Sequence, residues 1–124
     1  MQNHQKYSNI YIFTGCSTIN VNLKNEVLNT CGFLNGNYQS ATQVNGKPSW
    51  KNDEYAIWGQ YNKEDWWLIG LLSEIGNGSA YILARNNFSG ITDNDNQWFY
   101  FNEDGWTYQS DPNDIQIACI NGKY

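Results

Sequence analysis

One histidine, two prolines, one methionine and seven cations are all that this 124-residue chain carries of those types, and each shortage removes a class of function. A single imidazole, His4 in a polar tail, cannot build a Ser-His-Asp or a Cys-His catalytic set. Seven scattered Lys and Arg against twelve Asp and Glu leave a net charge of −5. Without a basic patch there is no electrostatic footprint for nucleic acid and no attraction to an anionic membrane. No run approaches the roughly 18 apolar residues that a membrane-inserted helix needs. The opening "MQNHQKYSN" has no apolar h-region, so no signal peptide is legible in it.

The chemistry of cofactors and metals is equally thin. Cys16, Cys31 and Cys119 form neither a C-x-x-C pair nor a cluster with histidine, which argues against zinc. The glycines stand singly, five of the eleven directly after Asn or Asp, which is turn chemistry rather than a phosphate loop. "TDNDNQ" (92–97) starts with the alternating oxygens of a calcium loop, but Trp98 occupies the position where such a loop needs glycine. The carboxylate pairs Asp53-Glu54, Glu64-Asp65 and Glu103-Asp104 read as solvated hairpin charges, not as two acids held across a cleft. The expectation is therefore no catalytic residue, no metal and no cofactor.

What is abundant is asparagine, with nineteen, and aromatic residues, with six Trp, nine Tyr and five Phe. Aromatics favour strands, and Asn and Gly favour the turns between them. Asn-Gly pairs at 35–36, 45–46, 77–78 and 121–122, with Asp104-Gly105, punctuate ten strand-like runs. Two hairpins stand out, "EYAIWGQY-NKED-WWLIGLL" and "QWFYF-NEDG-WTYQ". "STINVNLKNEVLNT" is the only stretch that could be a short helix, and its apolar spacing fits a strand slightly better. The fold class expected is all-β: a small antiparallel sandwich or partly closed barrel of about eight to ten short strands. Residues 1–18 are read as an N-terminal extension carrying one strand, and 19–124 as a single β domain.

Strand side chains alternate between faces, so adjacent Trp66 and Trp67 cannot share one. A small domain cannot hide twenty aromatics at about 150–250 Å² apiece, and an exposed aromatic patch marks a partner. A ligand or partner surface is placed at Trp66 with Tyr61 and Tyr100.

Several short motifs also carry a resemblance. Asn35-Gly36-Asn37-Tyr38, Asn45-Gly46-Lys47-Pro48-Ser49-Trp50, Ile57-Trp58, Trp67-Leu68-Ile69-Gly70, Gly105-Trp106 and Ile115-Gln116-Ile117-Ala118-Cys119 follow one another over residues 31 to 120. In this the chain resembles a small β domain of secreted and cell-surface proteins of invertebrates, algae and microbes. The resemblance implies an extracellular or cell-surface location and no catalysis. It also implies that Trp50, Trp58, Trp67, Trp98 and Trp106 are scaffold, leaving Trp66 as the extra ring.

"NIYIFTGCSTIN" precedes the region of resemblance. Its strand-like Ile10, Tyr11, Ile12 and Phe13, with Cys16, are read as an assembly element that pairs with a sheet edge of its own molecule or of a neighbour. The function expected is a non-catalytic structural or adhesive subunit that assembles with copies of itself. The alternative is a carbohydrate-binding module whose Trp and Tyr stack on glycans. Cys16, Cys31 and Cys119 are the disulfide candidates, with no pairing fixed. Asn77 and Asn87 head glycosylation sequons, at a number that chance alone supplies.

Overall fold

The computed structural model describes residues 16–61, 65–85 and 90–120. Nine strands form one antiparallel sheet: β1 (Thr18–Leu23), β2 (Gly36–Val44), β3 (Lys47–Lys51), β4 (Tyr55–Tyr61), β5 (Asp65–Leu71), β6 (Ile82–Arg85), β7 (Gln97–Asn102), β8 (Gly105–Tyr108) and β9 (Ile115–Cys119). Their order across the sheet is β8-β7-β6-β5-β4-β3-β2-β1-β9. Eight strands follow as a meander, and β9 returns to pair with β1, Leu23 opposite Ile115 and Ile19 opposite Cys119. The sheet curls into a half-barrel, as the expectation of an all-β, partly closed barrel requires.

Alternation decides which side chains fill the curl. On β1, Ile19, Val21 and Leu23 are buried while Asn22 is exposed. Tyr38, Trp50, Ile57, Trp67, Ile69, Ile82 and Tyr100 continue the same inner face across the sheet. "STINVNLKNEVLNT" resolves into two elements. Period-two apolar residues make β1, and Val27 and Cys31, four apart, face inward from a short helix, α1 (Asn25–Cys31). This helix and the 3-10 turn Gly32–Leu34 plug the concave side, where Val27, Cys31 and Leu34 join the core.

The outer face has its own small core. Trp58 is fully buried there with Ala56 and Leu68, beneath Leu72, Ile75 and Ala80 of the segment between β5 and β6. Gly70 lets that segment settle: a Cβ at Gly70 would stand 3.0 Å from the Ala80 Cα and 3.0 Å from the Ser79 carbonyl oxygen. Trp50, Trp58 and Trp67 are thus all core, as read from the sequence.

Four expectations need correcting. Asn35-Gly36 is not a hairpin turn: Asn35 ends the 3-10 turn and its Oδ1 accepts the Leu23 N–H at 2.7 Å. The extension does not reach residue 18, because Thr18 opens β1 and Cys16 lies in the core. Asp65 is not a solvated hairpin charge. It is 4% exposed, opens β5, and sits 3.5 Å from the Lys47 ammonium. Trp106 is not interior scaffold, being 45% exposed.

Candidate functional site

The half-barrel stops short of closing. Among the described residues, β8 and β9 pair with the sheet on one side only, and residues 109–114 join them at one end. Between them lies a groove of ≈ 630 Å³, within the range of small-ligand sites.

Two loops frame it, and local hydrogen bonding fixes both. In the first, the Asp93 carboxylate accepts the Asp95 N–H at 2.7 Å, and the Asn96 amide donates to the carbonyls of Gly90 (2.9 Å) and Ile91 (3.1 Å). Ile91, 5% exposed, anchors this loop in the core. In the second, Asp111 accepts the Asn113 N–H at 2.9 Å, and Gln109 accepts the Asp111 N–H at 3.1 Å. Buried Asp114 ties the second loop to α1 by accepting from the Asn25 amide at 2.7 Å, and its backbone carbonyl accepts the Lys24 N–H at 3.0 Å. Asn and Asp side chains satisfying nearby backbone donors are what make such loops rigid.

The walls combine ring faces with amides. Trp98 is half-buried and Tyr108 is 52% exposed, with Asn94, Asn113 and Gln116 beside them. Asn96 lines the groove at 8% exposure, and its Oδ1 is buried with no hydrogen-bond partner among the described residues. A buried acceptor without a donor costs about 1–3 kcal/mol, a cost this structure carries beneath the groove wall. This set can hold a neutral, hydroxyl-rich ligand by stacking and hydrogen bonding. Among the described residues no cluster of three or more His, Cys, Asp or Glu could hold a metal.

The convex face divides into two halves. On β2, β1 and β9 it is a ladder of amides, where Asn20 donates to Asn37 at 2.8 Å and Asn22 to Gln116 at 3.3 Å. On β5 to β8 it is a ladder of rings. Trp66 lies 6.5 Å from Phe99, Phe99 lies 5.4 Å from Tyr108, and Phe101 lies 5.3 Å from Trp106. The Arg85 guanidinium stands 5.5 Å over the Trp66 ring, a cation–π distance.

The sequence-derived surface residues are not brought together. Trp66 does lie on the convex aromatic face, half-buried. Tyr61 is 65% exposed but ends β4 on the opposite side, where it pairs with Asp65. Tyr100 is not a surface residue: it pairs with Ile82, faces the core and is 4% exposed. Its odd-numbered neighbours Phe99 and Phe101 point outward instead. These two rings, with Trp106 and Tyr108 on the same face and Phe33 elsewhere, are surface aromatics that sequence reasoning missed. Pairing across the Asp104-Gly105 turn, Phe101 with Trp106 and Phe99 with Tyr108, is the signal that would have found the four on that face.

A disulfide joins Cys16 to Cys119 across a sequence separation of 103, leaving Cys31 as a free, buried thiol. Burial pushes that thiol's ionisation up. Cys16 is thus committed within its own molecule. Asn77 is exposed in the turn before β6. Asn87, Ile10, Tyr11, Ile12 and Phe13 lie outside the described residues. No described helix is long and apolar enough to cross a membrane. No family model, curated protein or solved structure matches this chain.

Proposed function

We propose that the chain is a non-catalytic, extracellular binding domain that takes saccharide in the groove between β8 and β9. The observation that carries this reading is the groove lining itself: the aromatic residues Trp98 and Tyr108 beside the amides of Asn94, Asn113 and Gln116. A pyranose offers apolar C–H faces to rings and hydroxyl donors to amide oxygens. The net charge of −5 suits a neutral glycan rather than a polyanionic one. The disulfide supports an oxidising compartment.

The test is an amide-NMR titration of the full chain with neutral oligosaccharide panels. Shifts confined to residues 91–98 and 108–118, and a loss of affinity of at least about tenfold in Tyr108→Ala and Asn113→Ala with unchanged fold, are expected. If no saccharide moves these signals at millimolar concentration, the reading is wrong.

A second reading, assembly by strand donation, has one observation in its favour. The Cys16–Cys119 bridge fixes the point where residues 1–15 join the domain at the end of β9, an edge strand, and an open edge accepts an added strand. Deleting residues 1–15 should then abolish assembly beyond a dimer. A truncated chain that assembles as the full one does removes the donor role.

A further inference from the structure

We infer that the convex aromatic face of β5 to β8 is a self-complementary surface that pairs two copies of this chain face to face. The face is built by register. Trp66 stands opposite Arg85, Leu83 opposite Phe99, Phe99 opposite Tyr108, and Phe101 opposite Trp106. All these side chains therefore point the same way. Three of the rings remain strongly exposed, Phe101 at 50%, Trp106 at 45% and Tyr108 at 52%. Elsewhere on the outer side, Trp58 is roofed by the segment after β5. Among the described residues nothing roofs these rings in the same way.

Three features point to a second copy as the cover. The first is size. At about 150–250 Å² per aromatic, the exposed parts of these rings with Leu83 and the rim come to about 500 Å² a copy. The pair then buries about 1,000 Å², the lower bound for a specific interface, so the dimer is weak. The second is shape: two twisted sheets pack face to face about 10 Å apart through interdigitating side chains.

The third is charge, and it sets the orientation. Arg85 lies at the end of the face where β7 begins, opposite Gln97. Glu103 and Asp104 lie at the other end, in the β7–β8 turn, both exposed. A two-fold axis in the interface plane, perpendicular to the strands, reverses the strands of one copy over the other. Each Arg85 then meets the partner's acidic turn, twice per dimer, as an isologous interface requires. Phe99 and Tyr108 of one copy pack on Phe101 and Trp106 of the other. A two-fold along the strands would instead bring like ends together and lose the ion pairs.

Analytical ultracentrifugation of the full chain tests this from about 1 to 500 µM, a range chosen for a weak interface. The mass should rise from the 14.3 kDa monomer towards twice that value. Phe101→Ser with Trp106→Ser replaces exposed rings, so the fold survives while the chain stays monomeric throughout. Arg85→Glu should weaken association by at least about tenfold. Adding Glu103→Lys to that variant restores it. Lys24→Glu, with the same net charge as Arg85→Glu but on α1's side of the molecule, changes nothing. Deleting residues 1–15 should leave this dimer intact. A full chain that is monomeric at the highest concentration overturns the proposal. So does a dimer indifferent to the Phe101 and Trp106 changes, or a charge reversal that Glu103→Lys fails to rescue.

Discussion

Tyr38 shows at the scale of one residue how this fold uses its aromatics. Its side chain is fully buried and its hydroxyl donates to the Leu34 carbonyl at 2.6 Å, so the ring spans the space between β2 and the turn after α1. Burial pushes its ionisation well above the ordinary tyrosine range, the Tyr55 charge adds to that, and a hydrogen bond from Asn52 opposes it. A phenol that ionises later in the folded than in the unfolded chain stabilises the fold fully below about pH 10. That contribution is lost as pH rises through the folded-state value. Urea melts between pH 8 and 12 should therefore show a declining alkaline limb. Tyr38→Phe should flatten that limb while costing about 1–3 kcal/mol at neutral pH, because it leaves the Leu34 carbonyl unpaired. An alkaline limb of unchanged slope would rule out Tyr38 as its source. The burial of Trp50, Trp58 and Trp67 was legible in the sequence through the short motifs they belong to, although Trp67 stands between Trp66 and Leu68 and alternation alone leaves its face open. Tyr100 was not, because "QWFYF" is apolar at every position after Gln97. Either parity satisfies such a run until the partner strand is known.

Turns are the elements whose local chemistry was most legible, and the β2–β3 hairpin is the clearest case. Asn45 at φ 55° and Gly46 at φ 77° are two successive left-handed residues, the I′ turn that matches strand twist. Asn45 also donates to the Gly59 carbonyl at 2.9 Å, pinning the turn to β4. Gly46→Val should destabilise the domain by about 1–2 kcal/mol, read in a chemical melt. The loss arises from conformation alone, since a Cβ at Gly46 meets nothing within 4 Å. A Gly46→Val chain as stable as the parent would mean the turn tolerates another geometry. The same dipeptide at Asn35-Gly36 has a different use that sequence does not announce, because the Asn35 side chain is spent on a backbone donor of β1, twelve residues away. The helix was missed for a related reason. A seven-residue element directly after a strand shows one i, i+4 pair, Val27 and Cys31, too short a sample of its period to outweigh the alternation before it. The groove belongs to this scale too: its residues were read as separate loops, and only the return of β9 to β1 makes them face one another.

For the whole molecule, the Cys16–Cys119 bridge closes nearly the entire chain. Chain-entropy reasoning gives a loop of about 100 residues roughly 4.7 kcal/mol of stabilisation, comparable with the 5–15 kcal/mol total of an ordinary domain. Reduction, or Cys16→Ser with Cys119→Ser, should lower the unfolding free energy by up to that amount in denaturant melts. Equal stability with and without reductant would show that the β1–β9 ladder holds alone. The order of the strands has one more consequence. The pairs β2–β3, β3–β4, β4–β5 and β7–β8 are joined by connections of two or three residues and can zip as hairpins, so these contacts form quickly. The β1–β9 ladder is different, because its partners are the first and last strands in chain order. During synthesis, with N-terminal segments emerging first, β1 has to wait with one flank bare until nearly all the described chain has been made. Folding of this domain thus ends where its sequence began, and the step most exposed to interception by another chain is the last one.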